Sequence, residues 1–157
     1  MEPPLKIADP AYLIIPLLQG WEWFDDGLQH SLRQRGWTEL TRPESMVMIH
    51  VILGMRRPTE IARSLGLTRQ AIHRTIGIIR EKGLFVLLPD PDDGRGSLIG
   101  LTEVGEAMRT DAQHIVRLMF AELVRRIGEK RMNGLIDALT AEWGASPAFG
   151  KDDRLIR

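Results

Sequence analysis

The sequence predicts a mainly α-helical protein with one small β-hairpin, arranged as a winged helix-turn-helix. Aromatic residues form only 6% of the chain and the apolar residues are mostly Leu, Ile, Met and Ala, which favours packed helices over sandwiched strands. Two helical patterns stand about three residues apart, as in a helix-turn-helix. Two short apolar runs around a polar loop follow, and then a long helical pattern.

Length and composition limit the classes of protein. The 157 residues, 43% of them hydrophobic, predict one domain over 1–157. The longest apolar run, Tyr12 to Leu18, is far shorter than the roughly 20 residues that cross a bilayer, so no membrane partner is expected. No secretory signal is recognisable, which predicts a cytoplasmic protein. Because the chain has no cysteine and no closely paired histidines, we expect no metal site and no cofactor.

The N-terminal part is predicted to be an arm and two helices. Residues 1–10 are rich in proline and predict the arm. A helical pattern runs from Leu13 to Arg35, although Pro16 and two glycines interrupt it. Pro43 fits the first turn of a second helix that ends near Gly54.

A helix-turn-helix is predicted next. Pro58 suits the first position of a short helix that ends at Leu65, before a glycine. Thr68 is a suitable N-cap for a helix from Arg69 to Lys82, whose core face carries three isoleucines at spacings of four and three.

The other face of this helix predicts contacts with duplex DNA. Its side chains can donate hydrogen bonds to base edges and phosphates, and Arg74 is the strongest candidate for a base contact. The alternative is a solvated polar face. Gly77 fits either a close approach of a DNA backbone or a neutral helix glycine. The predicted DNA-binding residues of this helix are Thr68, Arg69, Gln70, His73, Arg74, Gly77 and Arg80.

Charge is unevenly distributed, although the formal net charge of the chain is zero. Seven basic and two acidic residues between Arg56 and Lys82 give that segment a formal charge of +5. Because DNA binding depends on where charges lie, this basic segment is consistent with a DNA-binding surface.

The predicted hairpin, or wing, has strands at Leu84 to Leu88 and Ser97 to Leu101. Arg95 lies between two glycines at the tip, where a long cation can enter a narrow minor groove. Asp93 would repel phosphate, so we interpret it as support for the wing backbone or for Arg95.

Two further helices and a tail complete the prediction. Thr102 caps a long helix whose apolar stripe starts at Val104, and a second apolar seam indicates burial against a partner subunit. A last helix runs from Glu129 to Trp143, and the tail 144–157 lacks periodicity. The predicted organisation is a DNA-binding lobe at 41–101, with dimerisation helices at 11–38 and 102–143.

In this order of elements the chain resembles the MarR family of bacterial transcriptional regulators over residues 28–143. The most specific match is Asp93-x-Arg95, followed at the family's spacing by Leu101-Thr102 and Gly105. One departure is Gly94, where the family often has a second arginine. The resemblance implies a triangular homodimer, a recognition helix in the major groove, a wing at the minor groove, and release of DNA when a small, often aromatic, molecule binds.

An effector pocket near the junction of the dimerisation and DNA-binding parts is one interpretation of an aromatic-rich region that also includes Trp23. The favoured alternative for these side chains is ordinary dimer core. The candidate pocket residues are Trp21, Phe24, Trp37, Met46, Ile49 and His50.

We therefore expect a regulator that binds double-stranded DNA as a homodimer, more specifically a ligand-responsive repressor on a pseudo-palindromic operator. An alternative is a winged-helix module that binds a protein instead of DNA. The other alternative, an enzyme on this scaffold, is disfavoured because no catalytic motif is recognisable, and no catalytic residue is predicted.

Overall fold

The computed structural model describes residues 10–156, so most of the predicted arm at 1–10 lies outside the described residues. The predicted fold class is confirmed, with helices followed by a hairpin and two further helices. After a short 3-10 turn at Pro10–Tyr12, the elements are α1 Ile14–Gln34, α2 Arg42–Ile52, α3 Pro58–Leu65, α4 Arg69–Glu81, β1 Phe85–Asp90, β2 Asp93–Leu101, α5 Glu103–Ile127, α6 Glu129–Thr140, β3 Ala148–Phe149 and β4 Leu155–Ile156.

The chain divides into two compact units, Met1–Met119 and Phe120–Arg157, and the boundary falls within α5. In the first unit, side chains from α1 to the beginning of α5 form one apolar core. Its most deeply buried members come from α1 to α4, from the residue before the wing and from β2: Leu32, Val47, Ile61, Ile72, Ile79, Leu84 and Ile99. No helix in the described residues is long and apolar enough to cross a bilayer.

Local capping explains where α2, α3 and α4 begin and end. Thr41 and Glu44 form a capping box at α2, in which the Thr41 amide donates to Glu44 Oε2 at 2.9 Å. Gly66 ends α3 at φ 64°, a left-handed conformation that favours glycine. Thr68 Oγ1 accepts the Ala71 amide at 3.1 Å and caps α4. The three-residue turn between α3 and α4 is as predicted.

The hairpin is longer than the sequence predicts. β1 pairs antiparallel with β2 from Phe85 opposite Leu101 to Asp90 opposite Asp93, and the register shifts at Pro89/Asp90. The ladder extends past the predicted ends because the shift lets the chain turn within Pro91 and Asp92.

The start of α5 is fastened to the end of α4. Thr102 Oγ1 donates to the Gly83 carbonyl at 2.6 Å and accepts the Gly105 amide at 3.0 Å, so the predicted cap at Thr102 is confirmed. A Cβ at Gly105 would collide with the Leu84 carbonyl oxygen. The predicted apolar stripe begins later than expected, because Val104 is 52% exposed and Met108 is the first buried member.

The second unit corrects two predictions about the C-terminus. α6 ends at Thr140 and not at Trp143, because Ala141 has extended geometry (φ −63°, ψ 149°). The Trp143 indole then donates back to the Ala138 carbonyl at 2.7 Å. The tail, expected to be irregular, contains a short antiparallel ladder of β3 and β4.

Candidate nucleic-acid interface

The second helix of the helix-turn-helix, α4, is held by its core face. Ile72, Ile76 and Ile79 are each at most 2% exposed, so the opposite face is turned to solvent. Gly77 is half-buried, and the other predicted DNA-binding residues from Thr68 to Arg80 are exposed. The helix therefore offers its polar residues to a partner without rearrangement of the core.

A groove of about 460 Å³ separates α4 from the wing. Three predicted DNA-binding residues line it together: Arg69 and His73 from α4, and Arg95 from β2. Thr59 and Ser97 add hydroxyl groups to the same groove. The helix and the wing thus present basic side chains and hydroxyl groups around one groove, which Asp90 and Asp93 also line.

The remaining predicted residues lie further round α4. Successive helical residues are about 100° apart, which places Gln70, Arg74 and Gly77 on the side most distant from the isoleucine face. Gly77 and Arg80 line a second depression beside Phe85 and Val86 at the other end of the helix. The predicted set therefore contains groove residues (Arg69, His73 and Arg95) and outward residues (Gln70, Arg74 and Gly77). The sequence pattern did not make this distinction.

The wing tip is organised by its aspartate. Asp93 Oδ1 accepts the Arg95 backbone amide at 3.0 Å, and the Arg95 side chain is exposed. A Cβ at Gly96 would lie 2.9 Å from Asp93 Oδ2, so a side chain there would displace the carboxylate. Asp93 thus bonds the wing backbone, and its contribution to DNA binding stays a prediction.

Two of the seven cations counted in the basic segment are paired with acidic side chains, and a third, Arg56, bonds the wing backbone, which corrects the interpretation of the +5 charge. Arg56 Nε donates to the Ile99 carbonyl at 2.9 Å. Arg57 pairs with Asp90 at 2.7 Å, and Lys82 with Glu44 at 2.5 Å. The Glu44 partner is only 4% exposed. Local charge counts missed these pairs because their members are 33 to 43 residues apart.

The basic side chains that remain available to a partner are therefore fewer than the charge count indicates. Among the described residues, Arg63, Arg69, Arg74, Arg80 and Arg95 have no ion pair. Arg63 was not predicted, yet it shares a depression between α3 and α4 with Thr59, Arg69 and His73. Polar residues on the first helix of a helix-turn-helix were the signal that could have identified Thr59 and Arg63.

The pairing of Arg57 with Asp90 also shifts the pKa of each side chain. Hydrogen bonding from the Arg57 guanidinium, followed by the Asp92 backbone amide, lowers the pKa of the Asp90 carboxyl. Hydrogen bonds to Asp90 and Asp92 raise the pKa of Arg57 above its ordinary value. Asp90 and Arg57 are therefore both charged at neutral pH, and the positive charge of Arg57 is matched by the Asp90 carboxylate.

The predicted effector pocket is not assembled as expected. An apolar cavity of about 90 Å³ lies among α1, α2 and the start of α5, and Ile49 is the one predicted pocket residue that lines it. The cavity wall is otherwise formed by Asp25, Leu28, Gln29, Leu32, Leu40, Ser45, Met48, Ile52, Met108, Arg109 and Ala112.

The other five predicted pocket residues have different partners. Trp21 lies under the Arg42 guanidinium at 4.9 Å, and Phe24 meets Trp23 edge to face at 4.9 Å. The Trp37 indole donates to Asp111 Oδ2 at 2.7 Å. The His50 ring bonds the Met46 carbonyl at 2.7 Å and lies 3.0 Å from the Ser64 hydroxyl. These partners are distant in sequence or depend on ring orientation, so composition alone could not assign them.

The described residues contain no group of three or more His, Asp or Glu side chains placed to hold a metal ion.

Comparison by sequence gives no match to a protein-family model or to a curated protein. Comparison by structure gives several. RV1404 from Mycobacterium tuberculosis is 22% identical, with a TM-score of 0.68 over 92% of this chain and 100% of its own. Wild-type MarR from E. coli, in its apo form, is 24% identical, with a TM-score of 0.66 over 85% of this chain and 96% of its own.

A third similar structure is the PcaV transcriptional regulator from Streptomyces coelicolor, in complex with its natural ligand. It is 19% identical, with a TM-score of 0.58 over 88% of this chain and 94% of its own. Each of the three comparisons covers more than four-fifths of this chain and more than nine-tenths of the other. The chain therefore has the winged helix-turn-helix fold of the MarR-type transcriptional regulators.

Proposed function

We propose that this protein regulates transcription by binding double-stranded DNA in a sequence-specific manner. The observation that carries the proposal is the joint placement of Arg69, His73 and Arg95 around one groove, beside an exposed helix face that includes Arg74. A helix of this kind fits the major groove, and an arginine at a wing tip suits the minor groove. In this proposal the outward Gln70 and Arg74 specify sequence, and the groove residues bind backbone.

Binding occurs as a homodimer in this proposal. In the first unit, Tyr12, Leu13, Ile14 and Leu18 are each more than half exposed at the start of α1. In the second unit, Leu139 and Trp143 are 49% and 66% exposed. A second copy of the chain would remove such apolar side chains from water. The operator is then a pseudo-palindrome with half-sites about 10 bp apart.

Regulation by a small apolar or aromatic effector is the finer part of the proposal, with the protein acting as a repressor in the cytoplasm. The cavity beside Ile49 and Met48 supports an apolar ligand. At about 90 Å³ it is smaller than the roughly 150 Å³ cavity that holds benzene, so an effector must widen it. Widening that alters the spacing of the two recognition helices would make the ligand and DNA antagonise each other reciprocally.

The test is selection of a duplex from a random-sequence library by the purified chain, followed by fluorescence anisotropy with the enriched duplex and a shuffled control. We expect two chains per duplex, preference for the enriched sequence, and affinity that falls steeply as salt rises. Equal, weak binding to both duplexes would contradict sequence-specific regulation. Binding to neither duplex would favour the protein-interaction module instead.

The effector hypothesis needs a separate measurement. Small aromatic acids and apolar compounds are titrated into the protein and duplex complex while anisotropy is recorded. A compound that releases DNA must also bind the free protein more tightly than the DNA complex, by the same factor. Absence of that reciprocity would contradict coupling between the cavity and the interface.

A further inference from the structure

Arg57 occupies a position that ordinarily belongs to another kind of residue. It is the N-cap of α3, where Ser, Thr, Asp or Asn is preferred because a short oxygen can accept a free helix amide. Arg57 has no such oxygen, and its side chain makes no capping hydrogen bond. Because Arg57 does not cap α3, its contacts elsewhere in the fold should explain why an arginine occupies this position.

The Arg57 side chain holds the turn of the wing. Its Nε donates to Asp90 Oδ2 at 2.7 Å, and its Nη2 donates to Asp90 Oδ1 at 3.1 Å, which is a bidentate pair. The same Nη2 donates to Asp92 Oδ2 at 2.9 Å. The Asp90 side chain is only 2% exposed, and its Oδ1 also accepts the Asp92 amide at 3.0 Å. The guanidinium thus bonds both carboxylates that flank Pro91.

Arg56 provides a second attachment lower on the wing. Its carbonyl accepts the Ile99 amide at 2.8 Å, and its Nε donates back to the Ile99 carbonyl at 2.9 Å. Two consecutive residues before α3 therefore hold β2 at its base and the hairpin at its turn. Because α3 packs against α4 through the shared core, the wing is fixed relative to the recognition helix.

We propose that Arg57 is a positioning residue for DNA binding, which holds the wing turn so that Arg95 stands at one fixed spacing from α4. This inference rests on the proposed function. Asp90 and Asp93 line the same groove as Arg69 and Arg95, and Arg57 also offsets negative charge there that would repel phosphate. Positioning and charge compensation are separable, because they respond differently to paired substitutions.

The experiment compares Arg57→Gln with the double variant Arg57→Gln/Asp90→Asn, which has the same formal charge as the wild type but lacks the bidentate pair. Binding to the library-enriched duplex is measured by anisotropy, and amide hydrogen exchange is followed in the free proteins. Arg33→Gln is the matched control, because it removes one charge and breaks the exposed ion pair with Glu39.

We expect both Arg57 variants to bind about tenfold more weakly than the wild type, as for loss of one anchoring contact. Exchange should accelerate in residues 89–97 and stay unchanged in α4, while Arg33→Gln resembles the wild type. Wild-type affinity of the double variant would show that charge alone matters and would overturn the positioning role. Unchanged exchange in the wing would overturn it as well.

Arg57→Lys keeps the test decisive if Arg57→Gln unfolds. Lysine retains the charge but has no planar fork, so intermediate affinity and intermediate wing exchange are expected. Wild-type behaviour of Arg57→Lys in both measurements would contradict the need for bidentate geometry. If the wild type itself binds no duplex, the proposed function fails, whereas wild-type binding with unaffected Arg57 variants contradicts only the present inference.

Discussion

The carboxylate of Asp93 accepts the backbone amide of Arg95 at 3.0 Å, so an acidic side chain organises the tip that carries the proposed minor-groove cation. Arg95→Ala should weaken binding to many sequences and reduce the slope of affinity against salt by about one phosphate contact. Asp93→Ala should lower affinity less and leave that slope unchanged, since the cation remains. Anisotropy titrations over a range of salt concentrations measure both; identical slopes in all three proteins would contradict these roles.

Arg74 should determine sequence preference. It lies on the outward side of α4, away from the groove, where base edges would be met. Arg74→Ala should cost about 1–3 kcal/mol on the enriched duplex and little on a shuffled one, because base contacts discriminate and phosphate contacts do not. Arg69→Ala, in the groove, is the matched comparison and should weaken both duplexes. Equal losses for the two variants on both duplexes would refute this division.

Gly77 has open space around the position of a Cβ, and its backbone is compatible with any residue. Gly77→Ala should therefore stabilise the protein by up to about 1 kcal/mol, because alanine favours a helix interior. We expect the same change to lower DNA affinity, since a methyl group would stand between α4 and an approaching DNA backbone. Thermal unfolding and anisotropy give the two results; greater stability with unaltered affinity would identify an ordinary helix glycine.

Three helix ends of the helix-turn-helix were predictable because their signals are local. A capping threonine, a glycine stop and a proline start are read within four residues, and α3 has the predicted bounds. α6 ended early because the pattern through Trp143 counted apolar positions, whereas the backbone at Ala141 leaves the helix. In a sequence, apolar residues that follow the end of a helix at helical spacing cannot be told apart from the residues of its last turn.

The candidate site was predicted less completely because its support comes from distant residues. Arg57 and Asp90 are 33 positions apart, and Trp37 and Asp111 are 74 apart. Only the folded chain brings these groups together, so cations that neutralise internal acids were counted as part of the basic surface. The same limit explains why an aromatic cluster suggested a pocket that the structure forms mainly from aliphatic side chains.

The Asp111 carboxyl should make the stability of the fold depend on pH in the acidic range. A hydrogen bond from the Trp37 indole, and then one from Arg35, lowers the pKa of this carboxyl. A carboxyl whose pKa is lowered in the folded state stabilises the fold at pH values above its unfolded pKa of about 3.9. This stabilisation is lost as the pH falls through the folded pKa. Asp111→Asn should therefore be less stable at neutral pH and show a flatter decline in acid.

The measurement for Asp111 is urea denaturation of both proteins at neutral pH and at about pH 3. The difference in free energy of unfolding between wild type and variant should shrink as the pH is lowered. A constant difference across the range would indicate that the Asp111 charge contributes nothing to the pH dependence. The exposed Asp137→Asn, in α6, serves as a control for a change of surface charge.

Gly105 should tolerate no side chain. A Cβ there would meet the Leu84 carbonyl oxygen, and backbone cannot move aside as a flexible side chain can. Gly105→Ala should cost about 1–3 kcal/mol, the usual penalty for overpacking. Gly20→Ala is the matched control, because Gly20 has no atom near the Cβ position within α1. Equal thermal midpoints for the two variants would contradict the steric argument.

The junction at Leu84 has a mechanical consequence. The Leu84 amide donates to Ile79 in α4, and its carbonyl accepts the Thr102 amide at the start of α5, while Phe85 begins the wing. One residue is thus the shared pivot of the recognition helix, the hairpin and the long helix. Since a packed core transmits displacement instead of absorbing it, a rotation of α5 about this pivot would carry the helix and the wing together. Both reading elements would then gain or lose their fit to the duplex in one step.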